Sequence, residues 1–253
     1  MSGEELLRVE GLKRSFQTES GEQTILKGIT VSINKGDFVA IMGASGSGKS
    51  TFLYCISGMD RPSEGRIMFH DTDMTKLSID ELASFRKEHC GFVFQQICLV
   101  DTLSVMDNIM VAGLLSGTDR KELYERAQGL LKHMDVEEHT WTKFPNQISG
   151  GKAQRVGIVR AMINQPEILF ADEPTGALNS QVGQEVLDAI SDFNSRGQTT
   201  IMVTHDLRSA LRANRVLYLK DGLILDECKL GTYHGESKER TQQLTSFLTE
   251  IGW

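Results

Sequence analysis

Two short stretches carry residue types at a spacing that suits phosphate chemistry. Gly43-Ala44-Ser45-Gly46-Ser47-Gly48-Lys49-Ser50 fits G-x-x-x-x-G-K-S/T in full. Glycines in this pattern let backbone N–H groups turn inward around a phosphate, and the helix N-terminus behind them adds partial positive charge. Lys49 has the reach for β- and γ-phosphates, and the Ser50 hydroxyl is a Mg²⁺ ligand. Thr51 to Ser57 is expected as the helix that follows, ending at Gly58. The alternative is a glycine-rich turn that binds nothing. The second stretch is Asp172-Glu173-Pro174. There Asp172 is placed to hold Mg²⁺ through water, and Glu173 to polarise an attacking water as general base. Taken alone, that pair also reads as a solvated strand end.

Both stretches need strands to deliver them. Phe38–Met42, Ile168–Ala171 and Thr199–Val203 are continuous apolar runs, as expected of strands buried on both faces of a parallel sheet, and Gly91–Phe94 is a shorter fourth. Val182, Val186, Ile190 and Phe193 recur at helical spacing, as do Leu123, Ala127, Leu131 and Met134, with Asp119 as N-cap of the latter helix. Leu6–Glu10 and Ile25–Ile33 read as strands around a polar loop, Gln17–Gln23. Val216–Leu219 and Leu223–Leu225 read as a hairpin around an Asp-Gly turn. This alternation predicts an α/β fold, a doubly wound parallel sheet. An antiparallel β edge and a helical insertion around residues 100–160 are added to it.

Ile148-Ser149-Gly150-Gly151-Lys152-Ala153-Gln154-Arg155 closely resembles the L-S-G-G-Q signature of ATP-binding cassette proteins. By residues alone this is a serine N-cap with a glycine pair, whose small side chains expose helix N–H groups. In the family, Ser149, Gly150 and Gly151 would face the γ-phosphate held by a second subunit. Further family marks fall in order. Gln95 resembles the glutamine that contacts Mg²⁺ or the lytic water and links the site to the membrane partner. His205, in Thr204-His205-Asp206, resembles the switch histidine at the γ-phosphate. Phe16 resembles the aromatic that stacks on adenine, a place in the core being its alternative. The resemblance covers residues 5–227. It departs at Lys152, where the family usually has Gln, and at Asn179, where it usually has Asp.

The resemblance implies a single nucleotide-binding domain over 1–253. Its parts would be a β subdomain at about 1–35, a P-loop core at 36–96 and 165–227, a helical subdomain at 97–164 and a C-terminal tail at 228–253. It implies ATP and Mg²⁺ as ligands. Ser50, Gln95 and Asp172 would hold the metal, and Gly43–Thr51, Phe16 and Ser149–Gly151 the nucleotide. Lys49, Gln95, Glu173 and His205 would support hydrolysis. It also implies a second copy of the chain, head to tail, and an integral membrane permease that receives the motion in a groove along Gln95–Ile109, with Leu99, Val100 and Leu103. The alternative for that segment is a helical subdomain packed only on itself. Phe170–Ser180, Gly36–Gly43 and Arg86–Gln96 resemble the bacterial branch that serves lipoprotein release, macrolide export and antimicrobial-peptide resistance. An alternative is an ATPase that drives a signalling or mechanical membrane complex without moving cargo.

Composition fits these expectations. The 253 residues suffice for one domain, and 40% hydrophobic with 24% charged residues excludes a disordered chain. With 27 basic and 34 acidic residues the net charge is −7, which argues against a nucleic-acid partner. No run approaches the ~18 apolar residues of a membrane helix, and the acidic start Met1–Glu5 does not read as a signal peptide. The expected location is the cytoplasmic face of the membrane, held there through the permease. Cys55, Cys90, Cys98 and Cys228 are scattered and read as free thiols.

Overall fold

The computed structural model describes residues 3–19, 21–235 and 237–253. Phe38–Met42 and Thr199–Val203 are strands in which every residue is buried, as their unbroken apolar character requires. In chain order the strands are β1 Glu5–Thr18, β2 Gly21–Asn34, β3 Phe38–Met42, β4 Glu64–Phe69, β5 Thr72–Asp73, β6 Cys90–Phe94, β7 Ile168–Asp172, β8 Thr199–Val203, β9 Arg215–Lys220 and β10 Leu223–Lys229. The helices are α1 Lys49–Ile56, α2 Ile79–His89, α3 Val105–Leu114, α4 Arg120–His133, α5 Gly150–Met162, α6 Ser180–Ser195, α7 Leu207–Ala210 and α8 Lys238–Glu250. Two compact units are distinguished, Met1–Ala83 with Phe193–Trp253, and Ser84–Asp192.

In the first unit β2, β1, β4 and β5 form an antiparallel sheet in that order. A second set runs β10-β9-β3-β8, in which β3 is parallel to both β8 and β9. Asp221 and Gly222 turn β9 into β10 with φ of 50° and 80°, the left-handed pair expected of an Asp-Gly hairpin. The N-terminal hairpin is longer than its apolar pattern suggests. β1 and β2 stay paired out to Thr18 and Gly21, through most of the expected polar loop. Past the Arg14–Leu26 pair the ladder leaves the core, so its side chains are mostly polar and the period of two disappears. Backbone bonds and cross-strand contacts such as Ser15 Oγ to Thr24 Oγ1, 3.0 Å, hold it there. Ser20 of that loop, and Met1 and Ser2 of the acidic start, lie outside the described residues.

The C-terminal stretch is built in through α8. Leu244 and Leu248 are buried, and Arg240 carries its guanidinium into the interior. It donates to the carbonyls of Leu211 (2.7 Å), Leu230 (2.9 Å), Gly231 (3.1 Å) and Ala213. Burial lowers the Arg240 pKa.

In the second unit β6 and β7 are parallel, with Phe94 beside Asp172. Helices α3, α4 and α5 pack on one another, and α5 packs on β6. Asp119 caps α4 by accepting from the N–H groups of Lys121 and Glu122, and Leu123, Ala127, Leu131 and Met134 are buried as their spacing predicts.

Candidate functional site

The phosphate loop connects β3 to α1. Gly43, Gly46 and Gly48 have φ of 151°, 77° and 101°, conformations that L side chains rarely adopt. Gly43 also passes so close to β9 that a Cβ there would lie 2.0 Å from the Leu219 carbonyl oxygen. Helix α1 begins at Lys49, two residues earlier than its apolar pattern suggests, and has no side-chain N-cap. Lys49 is buried, and its Nζ donates to the carbonyls of Gly43 (2.9 Å) and Ala44 (2.8 Å). The buried Ser47 Oγ has no hydrogen-bond partner. A phosphate fits this cradle: it supplies an acceptor for that buried hydroxyl.

His205 follows β8, and the phosphate loop follows β3. These strands are parallel neighbours, with Ile41 beside Val203, so both segments leave the same end of the sheet. The next residues fix the turn: Thr204 Oγ1 accepts from Asp206 N–H, and Asp206 caps α7 through Ser209 N–H at 2.9 Å. His205 itself is exposed. Phe16 is 38% exposed and so is not a core residue; the Arg14 guanidinium lies 4.2 Å from its ring centroid. Asp60 holds Arg14 through two bonds of 2.8 and 2.9 Å.

The second unit brings Gln95 and Glu173 together. They follow the paired residues Phe94 and Asp172 at the ends of β6 and β7. A Cβ at Gly176 would lie 2.9 Å from Gln95 Nε2 and 3.3 Å from Glu173 Oε2, so an amide and a carboxylate flank one small residue. Glu173 has φ of 47°, a conformation uncommon outside glycine, and Gly176 N–H bonds back to its carbonyl at 3.0 Å. Gln154, whose role its spacing does not reveal, sits just behind. It is 2% exposed, and its Nε2 donates to the carbonyls of Phe94 (3.2 Å) and Pro174 (2.9 Å). The signal that could have revealed it is its place on the apolar face of α5, four residues before Ile158.

Ser149 caps α5 by accepting from Lys152 N–H at 3.4 Å, and both Ser149 and Gly150 are exposed. Gly151 is buried; a Cβ there would meet Val182 at 2.3 Å, so close approach of α5 and α6 requires glycine. The two departures acquire definite places. Lys152 Nζ reaches both carboxylate oxygens of Glu137, at 3.0 and 2.8 Å, and its hydrogen bonds hold the Glu137 pKa down at about 2. Asn179 Oδ1 caps α6 by accepting from Val182 N–H at 3.0 Å. In the expected docking segment Val100 is exposed and Ile109 buried. The buried Asn108 accepts from Val100 N–H and donates to the carbonyls of Val100, Leu103 and Ser104.

In the first unit, the phosphate loop after β3 beside the parallel β8 defines a P-loop nucleotide-binding fold. Residues 26–176 match the family described as ABC transporter. The macrolide export ATP-binding/permease protein MacB of Shewanella sp. (strain ANA-3) is 43% identical over 222 residues, 88% of this chain and 34% of that protein. The bacitracin export ATP-binding protein BceA of Halalkalibacterium halodurans is 41% identical over 227 residues, 89% of each chain. A solved dimeric ATP-binding cassette, MJ0796, in a post-hydrolysis state bound to ADP and Pi, is 36% identical. It superposes with a TM-score of 0.83 over 90% of this chain and 100% of its own. The chain belongs to the ABC transporter family. It spans about a third of the length of the MacB relative. Among the described residues, no helix is long and apolar enough to cross a membrane.

Proposed function

We propose that the chain binds and hydrolyses MgATP, pairs head to tail with a second copy, and powers a separate membrane permease from the cytoplasmic face. The observation that carries this reading is that Gly43–Ser50, Gln95, Asp172-Glu173 and His205 each lie at or just beyond the carboxyl end of a parallel strand. The cargo we propose is an amphiphile of the peptide, lipoprotein or macrolide kind; the macrolide and bacitracin export named for MacB and BceA support the antibiotic part of that range.

The residues divide the work. Backbone amides from Gly43 to Gly48 and the start of α1 receive the β-phosphate. Lys49 exchanges its two carbonyl contacts for phosphate oxygens. The exposed Phe16 ring stacks on the base. Ser50, Asp172 and Gln95 offer hydroxyl, carboxylate and amide oxygens, hard donors of the kind Mg²⁺ prefers. The ion would neutralise charge on the phosphates. Glu173 accepts a proton from water that the Gln95 amide orients, and His205 donates to the γ-phosphate. Ser149 and Gly150 present helix N–H groups to the nucleotide of the other copy. Lys152 stays on Glu137, and Asn179 keeps the capping role of the usual aspartate.

Glu173→Gln tests the reading. The variant should bind ATP, lose hydrolysis by at least the 10²–10⁴-fold typical of general-base removal, and accumulate as an ATP-bound dimer. Near-normal turnover would remove Glu173 from the role of base.

A further inference from the structure

Helix α5 does more than end in the signature segment. Its buried side holds the backbone on either side of the hydrolytic pair. Gln154 Nε2 donates both of its hydrogen bonds to carbonyls, those of Phe94 and Pro174. Phe94 immediately precedes Gln95, and Pro174 immediately follows Glu173. Two turns on, Arg160 donates to the carbonyls of Ile97 (2.9 Å) and Cys98 (2.6 Å), so the backbone around Gln95 is fastened on both sides. Gly157 keeps the helix close: a Cβ there would already be 3.4 Å from Ile97.

We propose that Gln154 is a positioning residue: it fixes Gln95 and Glu173 against each other and ties that geometry to the placement of the signature helix. The need for a clamp is visible in Glu173, whose φ of 47° persists only where neighbouring structure over-determines it. The Gly176 N–H bond to the Glu173 carbonyl is one restraint, and the Gln154 bond to the next carbonyl is the second. Gln154 lies four residues beyond Gly150, so a displacement of the helix start where Ser149 and Gly150 meet the other copy's nucleotide moves the clamp. Engagement of one nucleotide is thereby felt at the chain's own water-activating pair. This rests on the hydrolytic roles proposed above for Gln95 and Glu173.

Two variants of the full chain test it. Gln154→Met keeps side-chain length and removes both donors. Gln154→Glu keeps the shape and points a carboxylate at two carbonyls. Both should lower kcat on the order of 10-fold to 100-fold, as misplacement of reacting groups does, while KM and the affinity for ATP at the phosphate loop stay at wild-type values. Hydrogen exchange of the nucleotide-free chain should quicken at 95–98 and 173–176 and stay unchanged at 43–51. A wild-type kcat, or a fall in kcat matched by an equal loss of ATP affinity, would overturn the proposal. So would unchanged exchange at both segments in Gln154→Met. If the wild-type chain neither binds nor hydrolyses ATP, it is the ATPase reading that fails, and exchange alone then decides whether Gln154 clamps the two segments.

Discussion

Gly43→Ala tests the phosphate loop where backbone geometry, not side-chain chemistry, sets the outcome. The new Cβ would lie 2.0 Å from the Leu219 carbonyl oxygen and 2.9 Å from Ser47 Oγ. An ordinary C···O contact is about 3.3 Å, so loop and strand must separate by about 1.3 Å. The Leu219 oxygen belongs to β9, whose Tyr218 pairs with Met42, and the strand cannot yield alone. The loop moves instead, and displacement of that size costs on the order of 10²-fold where groups must be aligned. Gly36→Ala is the control. Gly36 has φ of 76° and no heavy atom within 4 Å of a Cβ, so it meets only the left-handed penalty of about 1–2 kcal/mol. Titration with a fluorescent ATP analogue should show affinity falling about 100-fold in Gly43→Ala and unchanged in Gly36→Ala. Urea melts should show both destabilised. Wild-type affinity in Gly43→Ala would refute the argument that this approach holds the cradle in shape.

Two further perturbations address the signature segment. Ser149→Arg removes the α5 cap, at about 1 kcal/mol, and puts bulk and charge where a second copy must approach. ATP should still bind the phosphate loop, but light scattering should detect no ATP-driven dimer, and an unchanged ATPase rate would count against a shared site. The Glu137–Lys152 contact makes a pH prediction. Lys152 hydrogen bonds lower the Glu137 pKa from 4.5 to about 2. A carboxylate lowered in the fold stabilises above its unfolded pKa and loses that contribution as pH falls through about 2. In Lys152→Gln the Glu137 carboxyl should return toward 4.5, as read by NMR titration. If Glu137 titrates unchanged, Lys152 is not what holds it.

The parts of the fold read from sequence are those in which one force dominates. Phe38–Met42 and Thr199–Val203 match their strands residue for residue, because burial on both faces permits only apolar runs and threonine. The Asp221-Gly222 turn was legible because few other residues accept two successive positive φ values. The outer part of the β1–β2 hairpin was not, since polar side chains on both faces erase the alternation. Helix α8 was hidden for a different reason: its main anchor, Arg240, is a charged residue in the interior, opposite to what hydropathy suggests. At the site, spacing located the phosphate loop and the Asp172-Glu173 pair. Where Lys152 and Asn179 reach depended on Glu137, 15 positions away, and on the local start of α6. Gln154 was not legible because a polar glutamine in a helix looks solvent-facing until its two carbonyl acceptors are seen.

The buried Arg240 also bears on covalent chemistry. By sequence, the Arg240–Thr241 bond is a substrate for trypsin-like proteases, which must draw the arginine side chain into a specificity pocket. Here that guanidinium is engaged by carbonyls from two separate chain segments, Leu211–Ala213 and Leu230–Gly231. A protease gains it only after α8 detaches and those oxygens are rehydrated together. Cleavage at this bond therefore counts openings of the terminal helix, and nothing has to be attached to the chain to count them.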